Sequence, residues 1–170
     1  MARCNLSEVN FSSTYHTVCT NAFGNKKWEE TTKNLVVDEG ITHLMERGFN
    51  VESVTPEEWW VGLFISGTAS STDTMKEHPD WNEFLGVTSI FRGPIEFTPK
   101  EPQTASEAMM GGPSQIVIST AGTISGAFLT TGKDRGGSEG LLYGVTPFSE
   151  QRYVVVGDAI QVTITLGGNG

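Results

Sequence analysis

The sequence predicts a mainly β domain, an antiparallel β-sandwich or jelly-roll-like fold with one short helix at its side or end. Short apolar runs closed by Gly, Pro, Ser or Thr recur from Glu57 onward, and only one stretch has helical periodicity. The 20 glycines among 170 residues exceed an average share of about 7% and favour many turns over long helices. Strands without the alternating helices of a parallel sheet point to a sandwich.

Residues 1–33 are polar, with Phe11, Tyr15, Val18 and Phe23 isolated among Ser, Thr and Asn. They are expected to form an N-terminal arm or extended segment that reaches a neighbour, or else an edge strand of the same domain. Residues 34–170 are expected to form a single β domain. A helix is expected from Asp38 to Arg47: Val37, Ile41, Leu44 and Met45 fall at helical spacing, Asp38 and Glu39 sit in the first turn, and Arg47 with Gly48 closes it. Three turns are marginal alone in water, so the apolar stripe has to pack on a sheet or a partner.

Trp59–Ile65, between Thr55-Pro56 and Ser66-Gly67, reads as a strand, and Phe84–Phe91, ended by Arg92-Gly93-Pro94, as a second, with a long connection between them. Residues 94–113 carry Pro94, Pro99, Pro102 and Pro113. Loop with one edge strand is expected there, and no uninterrupted central strand. Ile116–Ser119 and Thr123–Thr130 read as a hairpin joined near Ala121-Gly122, Gly132–Gly140 as a flexible charged loop, and Leu141–Val145 as a short strand. Arg152–Val156 leads through Gly157-Asp158 into a return strand with Ile160, Val162, Ile164 and Leu166 on one face, which reads as a last hairpin.

The net charge of −9 with only 11 dispersed basic residues argues against a nucleic-acid partner, because phosphate binding needs clustered Lys and Arg. No apolar run approaches the roughly 20 residues of a membrane span, and Met1–Val9 is polar where a leader would be apolar. Folding in a reducing cytoplasm is therefore expected, where the sequons at Asn5 and Asn10 would be silent. Cys4 and Cys19 can form at most one disulfide within the chain and lack C-x-x-C spacing. Each is expected to be an inert thiol.

Chemistry is sparse. His78, Asp80 and Glu83, with Asp73 and Glu77 upstream, offer oxygen and nitrogen donors, but without the glycine-punctuated acids of a calcium loop. A solvated turn at Pro79 over a packed Trp81 is the competing reading. Glu57-Glu58 beside Trp59-Trp60 invites a sugar-binding or glycosidase reading, because rings stack on sugars and paired acids cleave them. Adjacent residues of a strand point to opposite faces, however, so the two acids fail as a catalytic pair. Ser125 misses the nucleophile elbow, and Gly132-Lys133 lacks the rest of a phosphate loop. The expectation is no catalytic, cofactor-binding or metal-ligating residues, and no cofactor.

The order of segments carries more. Lys33-Asn-Leu-Val-Val-Asp-Glu-Gly40, Trp59-Trp-Val-Gly-Leu63, Asp73-Thr-Met75 with His78-Pro-Asp-Trp81-Asn-Glu83, Gly126-Ala-Phe-Leu-Thr-Thr131 and Val156-Gly-Asp158 together resemble small virion proteins of tailed bacteriophages over roughly residues 30–166. The resemblance implies a head decoration or cement protein on the capsid surface, a β domain assembling as a dimer or trimer that braces the major capsid protein. It carries over no functional residues. The 1–28 arm, the 94–113 loop and the 132–140 loop are candidate contacts. Two alternatives stand beside it: a neck or tail component of the virion, and a carbohydrate-binding module for host attachment using Trp28, Trp59, Trp60 or Trp81.

Overall fold

The computed structural model describes residues 10–49 and 57–169. In chain order the elements are β1 (Asn10–Thr20), β2 (Lys26–Lys33), β3 (Leu35–Val36), α1 (Asp38–Phe49), β4 (Trp59–Gly67), β5 (Trp81–Glu83), β6 (Gly93–Ile95), β7 (Phe97–Thr104), β8 (Glu107–Val117), β9 (Gly122–Thr130), β10 (Leu142–Val154) and β11 (Ala159–Asn169). They build two antiparallel sheets, one in the order β2-β1-β11-β8-β7 and one in the order β3-β10-β9-β4-β5, with β6 on the first half of β4. Packed face to face, they make the expected β-sandwich with its one short helix.

Between the sheets Tyr15, Cys19, Ile116, Ile160, Val162 and Ile164 of the first meet Val61, Leu63, Ile124, Ala127, Leu129 and Tyr143 of the second. The second sheet is apolar on its other face as well: Phe64, Phe128, Leu142 and Val145 lie there under Val37, Met75 and Trp81. That is why its strands read as continuous apolar runs and not as alternations. On this outer face Gly62 stands opposite Phe128 and Gly126 opposite Phe64 across the β4–β9 pair. A Cβ on Gly62 would lie 2.2 Å from the Phe128 ring and one on Gly126 2.3 Å from the Phe64 ring. Each ring thus occupies the space over the facing glycine.

Asn10–Lys33, expected as an arm or an edge, is a hairpin within the first sheet. β1 is an interior strand paired residue for residue with β11 from Asn10↔Asn169 to Thr20↔Ala159, and β2 is the edge. β1 reads as polar because Ser13 and Thr17 share its buried face with Tyr15 and Cys19. Residues 1–9 lie outside the described part. α1 begins at Asp38 as expected and extends to Phe49, and Met45 is 48% exposed while Ile41 and Leu44 pack on the core.

Five strand expectations are corrected. Phe84–Phe91 is irregular, with isolated bridges at Val87↔Ile118 and Phe91↔Asp134 and hydrogen bonds from the Phe84 and Thr88 amides to the Leu63 and Val117 carbonyls; the strand of that region is β5, just before it. Residues 94–113 hold β6, the edge strand β7 and most of β8, which is interior. β8 tolerates Pro113 because the ladder to β11 slips between Val162↔Ser114 and Ile164↔Gly111, so Pro113 sits where no N–H is required. The apparent hairpins 116–130 and 152–166 are not hairpins: β8 and β11 belong to one sheet, β9 and β10 to the other. Both turns are corners at which the chain crosses the sandwich. Leu141–Val145 is the start of the much longer β10, interrupted between Pro147 and Arg152.

That interruption closes one side of the sandwich. Phe148 turns in against Trp28 at 5.5 Å between ring centroids, Ser149 Oγ donates to Glu30 Oε2 at 2.6 Å, and the Arg152 guanidinium lies 5.1 Å over the Trp28 ring.

Candidate functional site

The acids and histidine that stood out between Asp73 and Glu83 are drawn into architecture. Asp73 Oδ2 accepts hydrogen bonds from the Ser70 amide and from the Trp81 indole N–H, both at 2.9 Å. His78 stacks on Trp81 at 3.8 Å between centroids, with Nδ1 2.9 Å from the Trp81 carbonyl. Glu77 and Asp80 are exposed. Glu83 takes Arg92 in a fork, Nε to Oε1 at 3.0 Å and Nη2 to Oε2 at 2.8 Å. Among the described residues no group of three or more His, Cys, Asp or Glu is placed to hold a metal ion.

Arg92 is the functional-looking side chain that sequence reasoning passed over. Beyond Glu83 it donates to the carbonyls of Gly132 at 2.7 Å and Gly137 at 2.8 Å, and its guanidinium lies 5.3 Å from the centroid of Phe128. The amide of Gly136 donates to Glu83 Oε2 at 2.8 Å. The 132–140 loop, expected as a flexible contact loop, is thereby tied to the 83–92 segment. Only the pairing of Arg92 with Glu83 could have signalled this in the sequence, and no local spacing marks it.

The remaining reactive residues lie apart. His16 meets Thr31 and His43 meets Glu57, while Ser125 Oγ donates to the Ile65 carbonyl at 2.7 Å. Cys19 is buried, and burial, followed by the nearby Asp158 carboxylate, raises its thiol to about 11. Burial also raises Tyr143 to about 12 and holds Tyr15 well above the ordinary phenol range. Such shifts stabilise neutral, inert forms. Cys4 lies outside the described residues.

The four tryptophans are unequally available. Trp81 is 1% exposed, and Trp28 is covered by Phe148 and Arg152. Trp59 meets His43, Phe97 and Tyr143 in edge-to-face contacts at 5.8 to 6.4 Å. Trp60 is half-buried, tilted against Phe91 at 6.2 Å. Trp59 and Trp60 line a groove of about 580 Å³ with Glu57, Glu58, Pro94, Ile95, Glu96 and Phe97. Glu57 turns toward α1, 2.7 Å from His43 Nε2 and 2.7 Å from Arg47 Nη2, while Glu58 is exposed.

Comparison with protein-family models, with curated proteins and with solved structures finds no match to this chain. Among the described residues no helix is long and apolar enough to cross a membrane.

The most unusual surface is one end of the sandwich, where the β1–β2 turn meets the β10–β11 corner. At the first turn Asn21 Oδ1 accepts the amides of Phe23 and Asn25, Gly24 takes a φ of 83°, and Phe23 is left 89% exposed. At the second, Asp158 Oδ2 accepts the Val155 amide at 2.9 Å and the Lys27 ammonium at 2.5 Å. The Gly157 amide donates to the Ile118 carbonyl at 2.9 Å. A Cβ on Gly157 would lie 3.0 Å from that of Ala22, so the two turns touch. Tyr153 and Val156, each 64% exposed, stand with Val155 on the same corner. Turns are ordinarily polar, and these two are rigid, adjacent and tipped with large apolar groups.

Proposed function

We propose that the chain is a structural protein of a tailed-bacteriophage virion, of the head decoration or cement type, which docks on the major capsid protein through the end of the sandwich bearing Phe23, Tyr153, Val155 and Val156. The segment order described above supports the virion reading. The apolar tips of the two touching turns support the docking mode, and they are the single observation that carries it. Large apolar side chains held in water on braced turns lose little conformational freedom when a partner covers them. Assembly as a dimer or trimer multiplies such contacts by symmetry, and repeated weak contacts hold through effective concentration without any turnover.

The test is gradient sedimentation of lysate from the native source, with quantitative mass spectrometry of the chain relative to any co-sedimenting shell protein. Hundreds of copies per particle are expected. A dozen or fewer would move the protein to the neck or tail, and absence from every particle fraction would overturn the virion reading.

A further inference from the structure

The groove beside Trp60 carries charge that no described residue neutralises. β4 and β6 pair as Trp59↔Ile95 and Trp60↔Pro94, and Glu58, just before β4, lines the same groove as Glu96, just after β6. Both carboxylates are exposed, and among the described residues no hydrogen bond or ion pair involves either. The third acid of the groove, Glu57, is met by His43 and Arg47. The ammonium of Lys133 stands 5.3 Å over the Phe91 ring and does not line the groove.

The rest of the lining is Trp59, Trp60, Pro94, Ile95 and Phe97. The two unpartnered acids offer only acceptors, the lining holds no amide or hydroxyl side chain, and its side-chain donors are the indole N–H groups, of which that of Trp60 is buried. A broad groove walled largely by rings is a poor cage for a hydrated metal ion, which takes converging oxygens. A planar organic cation fits both halves, stacking on an indole while its N–H fork reaches two carboxylates.

We propose that this groove is a docking site for an arginine side chain of a partner protein, received between Glu58 and Glu96 beside Trp60. The site is separate from the apolar end and does not depend on the virion reading. Argininamide, titrated at constant ionic strength into the full chain, is the probe, and the Trp60 indole N–H resonance, assigned with Trp60→Phe, is the readout. A saturable shift is expected. The Glu58→Gln/Glu96→Gln double variant should weaken it at least ten-fold while leaving the other resonances in place, and both substitutions fall on exposed positions that folding does not require. No saturable shift, or the same shift in the double variant, would overturn the proposal. So would a response to calcium chloride or to maltotriose with none to argininamide, which would give the groove to a metal ion or a glycan.

Discussion

At Arg92 the chain buries a guanidinium, 3% exposed, between the Glu83 carboxylate and the carbonyls of Gly132 and Gly137. Removing one partner of such a pair leaves the other charge desolvated, which costs about 3–5 kcal/mol. Arg92→Ala should therefore lower the melting temperature by roughly 6–20 °C, at about 2–4 °C per kcal/mol for a chain of this size, and raise hydrogen exchange at Gly136 and Gly137. A change below about 2 °C, within the range of surface substitutions, would show that the loop is not held this way. The buried acids of high pKa give a second prediction. The Cys19 thiol stays protonated in the folded state up to about 11, against 9.0 for an ordinary thiol. Between those values the folded state holds a proton the unfolded state has released, so the contribution is complete below pH 9 and is lost as pH rises toward 11. Denaturant titrations from pH 8 to 11 should show stability falling in that window, less steeply in Cys19→Ala. Equal slopes would remove Cys19 as a cause.

At the scale of elements, strand existence and facing were largely legible, and strand partnership was not. The alternation Ile160, Val162, Ile164 correctly marks the buried face of β11, because side-chain period depends only on the local backbone. Whether Gly157-Asp158 closes a hairpin or turns a corner depends on the pairing of β11 with β1 and β8, more than a hundred and about fifty residues away, which no local pattern contains. Phe84–Phe91 failed for a related reason: its apolar residues pack as an irregular segment, with Gly86 accepting two amides from Ser119 and Thr120. Of the candidate sites, the Trp59-Trp60 groove was visible as a cluster of types, whereas Arg92 and the apolar turns were not, since exposure is a tertiary property. The glycine–phenylalanine pairs of β4 and β9 offer a test at this scale. Gly62→Ala puts a methyl 2.2 Å from the Phe128 ring, and Phe128 is itself confined by Trp81 and Arg92. Overpacking of this kind costs about 1–3 kcal/mol, to be read by urea denaturation; a neutral result would mean that the ring is free to move.

For the whole molecule, the sandwich is a rigid frame that presents two separate surfaces, an apolar end and an acidic, ring-lined groove on one side. Phe23→Ser with Val156→Ser should leave stability within about 0.5 kcal/mol, as exposed positions do, while lowering particle occupancy at least ten-fold in a binding titration. Full occupancy by the double variant would assign docking elsewhere. The most direct measurement is hydroxyl-radical footprinting of the free chain against the particle-bound chain. Phe23 and Tyr153, among the most exposed rings in the molecule, should be oxidised readily in the free protein and strongly protected on the particle. If both remain as reactive on the particle as in solution while another surface becomes protected, docking through the apolar end is contradicted.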